Sequence, residues 1–235
     1  MSIESQFTTK PLEIIPQTVS GISILMLKPD VLTMPLISTE AAQDILLGLG
    51  DALSGKIFSD FYQSSHFSRT AQWALDRRGK PPVKEELNRS QLVMGLESLR
   101  ARYSLVPGEI NLTTFIYDTL GATQFHVLGE VECNFTESWI RKLYTNLNPP
   151  DPIYGEAWKQ TVIDALQEGP LKFIFLQGQL EHKFLDVMKD ILRKTLRNYG
   201  SDVGNLAKNI IHVPDENEAE LTLGILKEYF KQIQS

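Results

Sequence analysis

Apolar residues along the chain fall into short blocks, separated by turn signals, whose spacing alternates between strand-like and helical. "GISILMLKPD" (21–30) is an apolar run closed by Lys-Pro-Asp, and proline ends a central strand, so the pattern predicts a strand and then a turn. From about 38 to 104 the spacing turns helical. "STEAAQDILLGLGDAL" and "VKEELNRSQLVMGLESLRARY" repeat apolar residues every three or four, with "RRGKPP" (77–82) as a loop between them. "PGEINLTTFIYDTLGA" (107–122) predicts a helix, "FHVLGEVE" (125–132) a strand, and "TESWIRKLYTNL" (136–147) a helix. "YGEAWKQTVIDALQEG" (154–169) is a helix stopped by Gly169-Pro170. "LKFIFLQG" then reads as a buried strand, "LEHKFLDVMKDILRK" as a helix, and "KNIIHV" as a strand. "DENEAELTLGILKEYFKQI" closes the chain as a helix, with Asp215 and Glu218 at capping-box spacing.

With residues 35–106 set aside, this order resembles an α+β fold of the ferredoxin-like, split βαβ kind: an antiparallel sheet covered by helices on one face. The expected organisation is an N-terminal arm (1–17), a main domain made of 18–34 and 107–235, and an inserted helical subdomain (35–106). An insertion of that length in a compact domain is usually functional or a subdomain.

Composition narrows the classes. The 235 residues are 42% hydrophobic and 22% charged, as in ordinary globular proteins. No apolar run reaches the length of a membrane span, and the first ten residues lack the basic-then-apolar order of a signal peptide. Cys133 is the single cysteine, which excludes an internal disulfide and fits a cytoplasmic location. A net charge of −6 argues against broad nucleic-acid binding. Residues 183–208 run the other way: Lys183, Lys189, Arg193, Lys194, Arg197 and Lys208 outnumber Asp186, Asp190 and Asp202. Such a segment can hold a compact polyanion, or form a solvated helix face.

Two stretches compete as phosphate sites. "GDALSGK" (50–56) fits the start of a P-loop, but Ile57 stands where a metal-binding hydroxyl belongs and Asp51 would sit in the anion cradle. A glycine-containing helix end explains it better. The second signal is distributed: "MLKPDVL" after the first strand, "TLRNYG" (195–200) expected to follow the last long helix, and "NIIHVPD" (209–215) at the end of the last strand. In this order they resemble the nucleoside diphosphate kinase family, with its Lys-Pro-Asp, its Thr-aliphatic-Arg, and its Asn-aliphatic-aliphatic-His at the active site. "FHVLGEVECNFTESWIRKLY" and "ALQEGPLKFIFLQG" match further stretches, so the resemblance spans about 22–34 and 108–232.

The resemblance implies a function and a set of residues. His212 would be the nucleophile that takes the γ-phosphoryl group of ATP or another nucleoside triphosphate, with Mg²⁺ carried by the nucleotide. Lys28 and Arg197 would bind the phosphates, Asn209 the ribose and phosphate region, and Tyr144 would lie beside the histidine and orient it or Lys28. Ile153 or Tyr154 falls where the family places an aromatic against the base. His66, His126 and His182 match no site position.

The chain also departs from the family. Val213-Pro214-Asp215 replaces Gly-Ser-Asp, so the serine hydroxyl is gone. The stretch matching the family's histidine-orienting glutamate, Leu221 to Gly224, holds no carboxylate. The long loop that carries a further phosphate arginine and builds the family's hexamer is missing, with Arg193 as a candidate replacement. The insertion brings Arg69, Arg77, Arg78, Arg89, Arg100 and Arg102, and offers a surface for a protein partner or a homo-oligomer. Two functions follow as expectations: a phosphotransferase acting on a nucleoside diphosphate or related acceptor, or a catalytically degenerate nucleotide-binding or regulatory module of the same fold.

Overall fold

The computed structural model describes residues 11–33, 36–54, 73–77, 86–144, 155–178, 180, 182–199 and 210–234. Its centre is a four-stranded sheet of β1 (Ser23–Leu27), β4 (His126–Cys133), β5 (Leu171–Gln177) and β6 (Ile211–His212). The strands run in the order β4-β5-β1-β6, and every neighbouring pair is antiparallel. A separate two-stranded ribbon pairs β2 (Leu36–Ser38) with β3 (Glu109–Asn111). The helices are α1 (Pro11–Ile14), α2 (Pro29–Thr33), α3 (Thr39–Ser54), α4 (Glu86–Tyr103), α5 (Leu112–Ala122), α6 (Glu137–Leu143), α7 (Gly155–Gln167), α8 (His182–Asn198) and α9 (Glu216–Gln234), with a further helical turn over 73–77. The result is a mixed α+β fold.

Helices cover both faces of the sheet, which corrects the expectation of a layer on one face only. All five residues of β1 are buried, so each side of the strand needs a partner layer. Leu25, Leu27, Ile174 and Leu176 pack into one core with α3, α4, α5 and α8. Ile24, Met26, Phe173 and Phe175 pack into a second core with α6, α7 and α9. The apolar run of β5 fills both.

Residues 35–106 are stitched in at their ends. Leu36 pairs with Asn111 and Ser38 with Glu109, and the Thr39 hydroxyl donates to the Val106 carbonyl at 2.8 Å. Ile45 and Leu49 of α3 and Leu92 and Leu96 of α4 share one apolar cluster with the sheet and with Ile191 of α8. The Tyr199 hydroxyl donates to Asp44, tying the end of α8 to α3. Gly50 to Ser54 continue α3, while Gly55 and Lys56 lie outside the described residues.

Local signals place the other boundaries. Asn111 caps α5 by accepting the Thr114 N–H at 2.9 Å. Asp215 and Glu218 form the reciprocal box at the start of α9: Glu218 N–H donates to Asp215 at 2.9 Å, and Asp215 N–H to Glu218 at 3.2 Å. Part of the expected arm, α1, docks on the outer strand β4. Ile14 lies so close to Gly129 that a Cβ built there would be 2.4 Å from its side chain. Among the described residues, no helix is long and apolar enough to cross a membrane.

Candidate functional site

The edge of the sheet brings the far-apart motifs together. In the β1–β6 pair, Met26 lies opposite His212 and Leu27 opposite Ile211, and Lys28 N–H continues the ladder by donating to the Ile210 carbonyl at 3.0 Å. A residue just past the end of β1 is thereby fixed beside the residue that ends β6. The α6 helix stops at Tyr144, whose backbone N–H donates to Ile140 and whose ring turns toward the same edge. The Tyr144 and His212 ring centres are 5.6 Å apart, and Lys28 Nζ lies 5.9 Å from the Tyr144 ring centre.

Lys28 is only 4% exposed, yet its ammonium has no ion pair or hydrogen bond to any described residue. A buried lysine normally has a partner or loses its charge. Burial, reinforced by the Arg193 guanidinium and opposed by Asp30, pushes the Lys28 pKa down to about 7. The Tyr144 hydroxyl is also buried with no hydrogen-bond partner among the described residues. Burial raises its pKa and holds the phenol protonated. Two buried donors thus lie near the imidazole, with no acceptor for either among the described residues.

His212 is held from the other side. Its Nε2 stands 3.6 Å from Glu218 Oε2, and its side chain is 25% exposed. At that separation the contact is electrostatic, not a full hydrogen bond. Burial pushes the His212 pKa down to about 4; Glu218 opposes this, while Lys28 and Lys189 add to it. The ring is therefore neutral at pH 7. His212 in turn holds the Glu218 carboxyl below its usual range. The sequence reading sought a carboxylate within Leu221–Gly224 and missed Glu218, one turn earlier. The capping box was the signal, because it turns the Glu218 side chain back toward the end of β6.

Helix α8 supplies the remaining charge. An Arg193 terminal nitrogen donates to the Ile211 carbonyl, the residue before His212. Lys189, one turn earlier, is 5% exposed and paired with Asp186. Helix α8 runs through "TLRN", and Arg197 is exposed in its last turn, four residues beyond Arg193. Asn209, Ile153 and Tyr154 lie outside the described residues, as do Arg69 and Arg78. Of the other insertion arginines, Arg77 stacks 5.5 Å from the Trp73 ring centre and Arg102 pairs with Asp118. Val213 and Pro214, where the family has Gly-Ser, are buried.

Among the described residues, no group of three His, Cys, Asp or Glu side chains could hold a metal ion. Compared with protein-family models, with curated proteins and with solved structures, the chain matches none.

Proposed function

We propose that the chain is a nucleoside diphosphate kinase-like phosphotransferase, which moves the γ-phosphoryl group of a nucleoside triphosphate through His212 to a nucleoside diphosphate or related acceptor. The strand order β4-β5-β1-β6, antiparallel throughout, supports the split βαβ reading that goes with it. One observation carries the proposal: a buried Lys28 ammonium and a buried Tyr144 hydroxyl, neither with an ion pair or hydrogen bond among the described residues, flank a neutral imidazole. Both donors gain a partner when a phosphate group enters, and the lysine proton is retained once an anion sits beside it.

Because Nε2 faces Glu218, the ring proton belongs on Nε2 and the lone pair on Nδ1. The Nδ1 lone pair forms the N–P bond as the bond from phosphorus to the bridging oxygen breaks. That electron pair leaves on the terminal phosphate of the nucleoside diphosphate. Glu218 offsets the positive charge that develops on the ring. Lys28 and Arg193 offset the charge on the transferring and leaving oxygens. The second half-reaction reverses these steps with an acceptor phosphate as nucleophile toward phosphorus. Mg²⁺ enters with the triphosphate as part of the substrate.

The test is incubation with γ-labelled ATP, followed by measurement of acid-labile, alkali-stable label on the protein. Wild type should take up label and His212→Ala should not. Equal label on both would move the chemistry elsewhere. A second reading, a nucleotide-binding or regulatory module without turnover, is favoured by one feature: buried Val213 and Pro214 leave no hydroxyl beside the leaving group. Nucleotide binding without label on either protein would select it.

A further inference from the structure

Lys189 is a buried lysine one helical turn before Arg193, whose guanidinium reaches the carbonyl next to His212. Helix α8 lays Asp186, Lys189 and Arg193 along one face at spacings of three and four residues. Arg193 fixes where that face points, because its guanidinium grips the Ile211 carbonyl next to His212. Lys189 is one turn away, buried to 5% exposure and ion-paired with Asp186. The neighbouring Leu185, Met188 and Leu192 are fully buried. An apolar side chain at 189 would pack at least as well, since a buried ion pair is often less favourable than apolar residues of the same volume. Packing alone therefore does not account for a lysine here.

We infer that Lys189, held in place by Asp186, is a positioning residue that fixes a positive potential beside the imidazole and the incoming phosphates. This rests on the proposed reading of the site as a place of phosphoryl transfer. The charged groups that bear on Lys28 or on His212 are Asp30 after β1, Lys189 and Arg193 on α8, and Glu218 on α9, and Lys28 also bears on His212. Lys189 acts on both Lys28 and His212, and it also favours the ionised form of Glu218. It is the cation common to all three. It adds to the burial that keeps the ring unprotonated before transfer, and it opposes the phosphate charge during it.

The test follows the His212 ring by NMR across pH and measures the binding of inorganic pyrophosphate. In Lys189→Gln the ring's titration midpoint should rise by about one pH unit, as expected for loss of a nearby like charge. Pyrophosphate affinity should fall about tenfold. Lys189→Arg should restore both. Asp186→Asn should shift both the opposite way, with a lower midpoint and tighter pyrophosphate, and this variant decides the matter should Lys189→Gln not fold. A role in helix packing alone would leave the ring's midpoint in place. An unchanged midpoint with unchanged affinity in Lys189→Gln, or in Asp186→Asn where only that variant folds, overturns the inference. Neither readout uses phosphoryl label, so absence of label in the wild type would sink the proposed function without deciding this point.

Discussion

Glu218 caps helix α9 and, with the same carboxylate, stands 3.6 Å from Nε2 of His212. One side chain thus ties the geometry of the last helix to the state of the imidazole. The two roles separate by substitution. Glutamine can still accept the Asp215 N–H, so Glu218→Gln should melt close to wild type, whereas Glu218→Ala loses a cap interaction of about 1 kcal/mol. Both lose the charge that offsets the developing imidazolium. The rate of labelling from ATP should drop tenfold or more in each, on the order seen when a histidine loses its orienting carboxylate. Thermal melts beside single-turnover labelling measure both. A Glu218→Gln protein that labels as fast as wild type removes Glu218 from the site.

Lys28→Met should raise stability and abolish phosphate binding together. The native lysine is buried with no ion pair or hydrogen bond among the described residues, Asp30 only partly opposes the effect of burial, and that arrangement costs folding free energy. Methionine fills similar volume with no charge to desolvate, so a gain of about 1–2 kcal/mol is expected. Urea denaturation gives the stability and pyrophosphate titration the binding. A loss of stability would mean that the lysine has a partner in the folded chain.

Stability should also depend on pH in two windows. The folded pKa of Lys28 is about 7 against an ordinary value of 10.5, and that of His212 is about 4 against 6.5. In each case the unfolded chain binds more protons between the two values, so stability rises with pH there. The His212 contribution grows from about pH 4 to 6.5 and is lost as the solution is acidified through that range. The Lys28 penalty is fully present below about pH 7 and is relieved toward 10.5. Denaturation midpoints at pH 5, 7 and 9 test this, with Lys28→Met as control. A variant whose slope between pH 7 and 9 equals that of wild type would contradict the assignment to Lys28.

Much of this site could be read from the chain, for identifiable reasons. The apolar runs of β1 and β5 mark the central strands, and "LKFIFLQ" has too few polar positions for a strand with one wet face, so burial on both sides was already written in it. Asp215 and Glu218 mark the start of α9 through a local cap. The ribbon of β2 and β3 escaped because three-residue strands carry no periodicity. The Thr-Leu-Arg match lies inside α8, because helix propensity does not stop at Thr195, and Arg197 is exposed in the last turn of that helix. The capping box marked Glu218 but not its partner, and Lys189 escaped because its place comes from the packing of α8 against the sheet, which no spacing of residues encodes.

Tyr144→Phe isolates the phenol. The hydroxyl is buried and unpaired among the described residues, so its removal deletes an unsatisfied group while keeping the ring that packs beside Lys28 and His212. Stability should hold or rise slightly. If the hydroxyl donates to a phosphate oxygen, pyrophosphate affinity should fall about fivefold, in line with one hydrogen bond of about 1 kcal/mol. Calorimetric titration of both proteins decides, and equal affinities would leave the hydroxyl with no part in binding.

Gly95→Ala tests whether residues 35–106 are structurally separable from the rest. Gly95 of α4 approaches the end of α5 so closely that an added Cβ would lie 2.4 Å from the Ala122 carbonyl oxygen. Backbone cannot swing aside as a flexible side chain can, so α4 and α5 must move apart. Overpacking of this kind costs about 1–3 kcal/mol. Helix α4 shares one apolar cluster with α3, α5, α8 and the sheet, so the cost should fall on the whole unit. The expected result is one unfolding transition at a lower denaturant midpoint, with tryptophan fluorescence and circular dichroism coincident. Trp73 and Trp139 report on the two sides of the sheet, since Trp73 packs on the first core and Trp139 on the second. Should Gly95→Ala unfold in two steps, with Trp73 released before Trp139, the inserted helices would form a unit that opens alone. The coupling between α8, which carries Lys189 and Arg193, and the helices packed on it would then be weaker than their common core implies.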